Sequence, residues 1–208
     1  EFAPLLASDT VRPGAPLDGY ALVILPCVTE ISADLERELR QFDGVVLIGP
    51  RTGSRTRNFT IPDNLPPGPL SDLTGHRVLQ VATLRPGLAQ PVKGQVSGAA
   101  IRWREDIEAT GDVLARFGDG MPALTRKEKI HYLACWPDES LLAATMSLVL
   151  DAADIPTFEL PEHVRMRRRG ELVFAFNYGA EDWTVPTGIR IVLGERTLRP
   201  YEVAVWRA

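Results

Sequence analysis

Two kinds of apolar pattern follow one another along the chain. Near its start, Tyr20–Leu25 (YALVIL) and Val45–Ile48 (VVLI) are unbroken apolar runs, which predict strands covered on both faces. Between them, Ala33–Phe42 (ADLERELRQF) places Leu35, Leu39 and Phe42 on one helical face, with Ser32 in the capping position. Strand, helix and strand with short links predict a right-handed parallel βαβ unit. Phe2–Ala7 (FAPLLA) reads as an earlier strand, confined by Pro4 to an edge or a strand end.

After Gly75 the pattern changes. His76–Thr83, Ala99–Glu105, Asp112–Phe117, Ala123–Arg126 and Lys129–Trp136 read as strands, the last two as a pair. Asp138 caps a helix over Glu139–Ala153, whose acidic first turn suits the helix dipole, and Pro156 closes it. From Glu162 onward, period-two runs dominate: His163–Arg169, Glu171–Asn177, Glu181–Val185, Ile189–Leu193 and Val203–Trp206, separated by turns at Arg169-Gly170, Gly179 and Gly194-Glu195. The expected organisation is an α/β layered domain with a mainly parallel sheet over residues 1–158, then a small antiparallel β domain over 159–208.

The segment Arg51–Pro67, dense in Gly, Arg and Thr, empties from a buried-looking strand and so invites an anion-binding reading. It lacks Gly-x-Gly-x-x-Gly and Gly-Lys-Ser/Thr, and no helix N-terminus follows closely enough to aim amides at a phosphate. A segment this long in a compact domain is better explained by contact with another surface.

Bulk composition narrows the function classes. A net charge of −4 and a pI near 5.5 argue against nucleic acid or an anionic membrane as main partner. No apolar run approaches the roughly 20 residues of a membrane span. Two cysteines, Cys27 and Cys135, make no disulfide framework and fit a cytoplasmic setting. Cys27 follows a strand, where a nucleophile can sit. Its neighbours Pro26, Val28 and Thr29 are too bulky for a strained elbow, so a packed, buried cysteine is expected. Cys135 reads as core. His76, His131 and His163 show no metal-ligand spacing, and no cofactor motif is present. Arg165, Arg167 and Arg169 share one strand face, expected to be a solvated one. Trp103, Trp136, Trp183 and Trp206 lie on separate strands and are expected in cores, with a sugar platform as the other reading.

Three longer stretches carry a resemblance. "YALVILPCVTEISADLERELRQFDGVVLIGPRTGS", "LPPGPLSDLTGHRV" and "GDGMPALTRKEKIHYLACWPDESLLAATMSLVLDAADI" together resemble the C-terminal half of glycoside hydrolase family 42 β-galactosidases. That resemblance implies a trimerisation domain, flavodoxin-like or class I glutamine amidotransferase-like, followed by a small β domain. It also implies a catalytic barrel elsewhere in the same polypeptide. A retaining glycosidase needs two carboxyl groups about 5–5.5 Å apart. The family's acid/base glutamate follows an asparagine, and no Asn-Glu pair occurs here.

The implied function is therefore a non-catalytic oligomerisation and accessory region of a retaining enzyme acting on terminal β-D-galactosides. Self-association as a trimer would use Arg51, Thr52, Arg55, Arg57 and Phe59 as interface residues. A carbohydrate-binding module, or an amidotransferase-like thiol enzyme using Cys27, are the alternatives. The chain begins Glu-Phe without Met, so it is expected to be a piece of a longer polypeptide, lacking the first βα unit of its own sheet.

Overall fold

The computed structural model describes residues 11–157 and 160–208. The strand expected over Phe2–Ala7 lies outside the described residues. Two compact units divide the chain between Asp154 and Ile155.

The first unit opens as its pattern requires. Strand β1 (Leu22–Leu25), helix α1 (Ala33–Gln41) and strand β2 (Val45–Ile48) follow in order, with β1 and β2 parallel and Leu22 opposite Val45. Ser32 caps α1, its hydroxyl oxygen accepting from Leu35 N at 3.2 Å. The short helix α2 (Ser71–Thr74) follows a long loop. Then come β3 (His76–Thr83), β4 (Ala89–Gly94), β5 (Gly98–Ala109), β6 (Asp112–Phe117), β7 (Pro122–Lys127), β8 (Ile130–Leu133), β9 (Cys135–Pro137) and helix α3 (Glu139–Ala152). Asp138 caps α3 through Leu141 N at 2.8 Å.

These strands form one nine-stranded mixed sheet, ordered β1-β2-β8-β7-β6-β4-β5-β3, with β9 paired to β5. Strand β2 is buried along its whole length. Val46 and Ile48 share a core with Leu35 and Leu39 of α1, while Val45 and Leu47 share one with Leu141 and Val149 of α3. Because β9 continues β8 through Ala134 and pairs with β5, the strands β8, β7, β6, β4, β5 and β9 curl back on themselves. Val92, Leu114, Phe117, Leu124 and Cys135 fill that curl.

Three expectations are corrected here. The sheet is not mainly parallel: only β1–β2 and β2–β8 pair that way, and every other pair in it is antiparallel. A parallel crossover needs a dozen or more residues, and the links from β3 to β8 are too short for anything but returns. Next, Tyr20–Leu25 is not covered on both faces. Strand β1 is the edge of the described sheet, and Ile24 is 42% exposed. The third concerns Lys129–Trp136, which is two strands broken at Ala134 rather than one. Strand β4 escaped the pattern because AQPVKG contains a proline and one deeply buried residue, Val92.

The second unit is a small antiparallel structure. Strands β10 (Val164–Arg169), β11 (Leu172–Asn177), β12 (Trp183–Thr184), β13 (Ile191–Leu193), β14 (Thr197–Leu198) and β15 (Val203–Arg207) form a four-stranded sheet, β10-β11-β15-β13, and a two-stranded one, β12-β14. Val164, Met166, Val173, Ala175, Leu198, Ala204 and Trp206 make its core. Buried Asn177 staples it: Nδ2 donates to the carbonyls of Glu181, Leu198 and Arg199 at 2.7, 3.0 and 3.1 Å, and Oδ1 accepts from Gly179 N at 2.9 Å. Among the described residues no helix is long and apolar enough to cross a membrane.

Candidate functional site

The loop after β2 is a built structure. Its first turns are stitched to the chain leaving β1: Gly49 N, Gly53 N and Arg55 N donate to the carbonyls of Leu25, Val28 and Thr29 at 2.8, 3.0 and 2.9 Å. Buried Thr52 turns its hydroxyl onto Gly49 O at 2.8 Å. Gly53 has φ 68°, and a Cβ built there would lie 2.3 Å from Pro67 O, so the two ends of the loop close on each other only with glycine. At the far end Val78 N donates to Pro66 O at 2.7 Å, tying the loop to β3.

Its anchor is Glu105, in the middle of β5 and 1% exposed. Oε1 accepts from Arg51 N at 2.8 Å and from Trp103 Nε1 at 3.1 Å, while Oε2 accepts from the Tyr132 hydroxyl at 2.5 Å. Three donors converging on one carboxylate satisfy it as burial demands. They also hold Arg51 in a left-handed conformation, φ 65°, with its guanidinium 5.1 Å above the Trp103 ring. Burial, and then the Glu105 charge, push the Tyr132 hydroxyl well above its ordinary range, so it keeps its proton and donates. The Tyr132 ring packs on His76, with centroids 3.9 Å apart. Burial lowers the His76 imidazole to about 4, against a weaker opposing contribution from the Thr74 backbone.

The tip of the loop is a closed turn. Thr56 N donates to Thr60 O, and Phe59 N to Thr56 O, both at 2.9 Å, while the Thr56 and Thr60 hydroxyls meet at 2.6 Å. This geometry lifts Phe59 and Ile61 into solvent, 81% and 78% exposed. Of the five residues singled out from sequence, Arg51 and Thr52 are thus built into the anchor. Arg55 turns back onto Ser54 O at 3.1 Å, and Arg57 and Phe59 face outward. The amides of Arg51, Gly53, Ser54, Arg55, Thr56, Phe59 and Thr60 all donate within the protein and so are taken up before any anion arrives.

Just before the loop lies an apolar groove of about 230 Å³, lined by Ile24, Pro26, Pro50, Trp136, Leu142 and Met146 among others. Trp136, expected in a core, is 46% exposed here. Its strand β9 is three residues long and pairs only with β5, so its outer side has no described neighbour. Sequence reading missed both the groove and Glu105. The available signal for Glu105 was its place two residues after Trp103 on a strand, which puts both on one face.

The competing chemistries find less support. Cys27 is half-buried rather than buried, since the edge position of β1 leaves the chain after it partly open. Among the described residues no histidine or carboxylate hydrogen-bonds it as a base. Burial pushes the Cys135 thiol up to about 12. In the second unit Trp206 is buried and Trp183 half-buried, leaving Tyr178 without a flat aromatic partner of that kind. Arg165, Arg167 and Arg169 stand opposite Phe176, Phe174 and Leu172, so their face is not purely solvated. There the Phe174, Phe176 and Tyr178 rings form a stacked row with centroids 6.4 and 6.1 Å apart.

The sequence profile of the β-galactosidase trimerisation domain matches residues 5–156, and that of the β-galactosidase C-terminal domain matches residues 163–208. The chain is 42% identical over 201 residues to a β-galactosidase of Thermus thermophilus, covering 95% of this chain and 31% of that protein. It is also similar to the crystal structure of the β-galactosidase from the psychrophilic Marinomonas ef1, with 35% identity and a TM-score of 0.93 over 98% of this chain and 31% of that one. The β-galactosidase from the Antarctic haloarchaeon Halorubrum lacusprofundi gives 28% identity and a TM-score of 0.88 over 96% of this chain and 33% of that one. The chain spans about a third of the length of the curated relatives it matches.

Proposed function

The chain belongs to the trimerisation and C-terminal domain families of glycoside hydrolase family 42 β-galactosidases, and from that premise we propose that it is an assembly and accessory region, not a catalyst. The polypeptide it serves hydrolyses terminal β-D-galactosides with retention, using a carboxylate pair on a catalytic barrel outside these residues. On this reading the domain self-associates as a trimer, and Arg51, Thr52, Arg55, Arg57 and Phe59 form or position the contact. The α1–sheet–α3 layering about β1, β2 and β8 is then a reduced flavodoxin-like layer, and the two unpaired cysteines suit a reducing, cytoplasmic setting.

One observation carries the proposal. The loop is tied at both ends, with a buried carboxylate holding its first residue, yet its tip carries Phe59 and Ile61 81% and 78% exposed. A chain that orders a loop so fully around an exposed Phe and Ile has met the entropy of ordering before a partner arrives. Light scattering on the purified chain tests this. The expected mass is three times 22.9 kDa, and a monomer at all concentrations overturns the assembly role. Release of galactose from a chromogenic β-galactoside above a buffer blank overturns the non-catalytic one.

A further inference from the structure

Two exposed apolar features of the first unit have opposite shapes. One is a projection: Phe59 and Ile61 on the closed Thr56–Thr60 turn. Phe59 sits at φ 60°, a left-handed conformation that a bulky side chain adopts only under constraint. The other is a depression of about 230 Å³, with Ile24, Trp136 and Leu142 each more than two-fifths exposed along it. A cavity of about 150 Å³ lined by apolar side chains already accepts benzene, so this groove has room for a phenyl ring. Pro50 lines the groove, and the loop bearing the projection starts at the next residue. The two features therefore arise from the same end of the sheet.

We propose that the self-association is head-to-tail: Phe59 and Ile61 of one copy seat in the Ile24–Trp136–Leu142 groove of a second copy. This rests on the assembly role proposed above and specifies the contact that performs it. A projection and a depression either pair reciprocally across a two-fold axis, which closes a dimer, or join copies head to tail, which closes a ring or runs on as a filament. The family description of a trimerisation domain selects closure after three copies. Both patches are apolar, so the association is expected to be insensitive to salt, unlike one made by the neighbouring Arg51, Arg55 and Arg57.

Complementation between two defective variants tests the arrangement. Phe59→Asp/Ile61→Asp destroys the projection and leaves the groove. Ile24→Asp/Leu142→Asp destroys the groove and leaves the projection, with Trp136→Arg as an independent groove variant. All five positions are exposed, and circular dichroism and thermal unfolding check that each variant folds. Light scattering is expected to find each variant monomeric alone, its association weakened by 30-fold or more. Mixed in equal amounts, they are expected to form a 1:1 dimer and nothing larger, because one intact projection then faces one intact groove. If the unmutated chain associates but these variants associate equally well, or the mixture stays monomeric, the head-to-tail contact is wrong while the assembly role stands. If the unmutated chain is itself monomeric, both fall.

Discussion

Replacing Glu105 by alanine removes the group on which the loop hangs. The Tyr132 hydroxyl loses its acceptor in a site where the residue is 1% exposed, and an unsatisfied buried donor costs about 1–3 kcal/mol. Trp103 Nε1 and Arg51 N lose theirs in partly solvated places, where the loss of each bond is nearer 0.5–1 kcal/mol. The expected destabilisation is about 3 kcal/mol. Glu105→Gln discriminates between shape and charge. Its amide oxygen can keep the Arg51 and Trp103 bonds, and its NH₂ can donate to Tyr132 once that hydroxyl turns round, so about 1 kcal/mol is expected. Urea unfolding at one fixed protein concentration measures both variants, since self-association shifts apparent stability. Hydrogen exchange at the Arg51 amide supplies the local readout. An alanine variant within about 0.5 kcal/mol of the unmutated chain, with Arg51 still protected, would refute the anchor.

Stability is expected to fall as pH drops from about 6.5 toward 4. The folded state holds His76 at about 4 against 6.5 when unfolded, so the unfolded chain binds the extra proton, to the extent of at most about 3 kcal/mol. Urea titrations at pH 7.5 and 5 should show it, and His76→Phe should flatten the difference. Burial lowers His131 in the same direction, so a residual slope belongs to it. Gly53→Ala should cost roughly 1–3 kcal/mol in backbone strain, besides the clash with Pro67 O, and should loosen exchange along the loop. A neutral result there would show that the loop ends do not close as described. A thiol reagent at pH 7.5 should modify Cys27 and leave Cys135 untouched until unfolding, because burial holds the Cys135 thiol at about 12. Equal labelling of both would contradict the packing inside the curled sheet.

What the sequence determined by itself was local. Ser32 and Asp138 as caps, the 3.6-residue spacing of Leu35 and Leu39, and the alternation in Leu172–Asn177 each act within a few residues, so α1, α3 and β11 stand where their pattern puts them. The motifs around Gly49–Ser54 and Tyr132–Leu142 were specific enough to carry the family as well. Tertiary structure decided everything that depends on a distant neighbour. An apolar run such as Tyr20–Leu25 says that a strand forms, but cover comes from other elements, and β1 lies at an edge where Ile24 helps line a groove. Strand direction was likewise open, because hairpins and crossovers share the same alternation and differ only in what the links can span. Glu105 was invisible as an anchor for the same reason. Its bond to Arg51 joins residues 54 apart, and only the folded sheet brings a charged residue of β5 under the turn after β2, where burial makes that single carboxylate worth three donors.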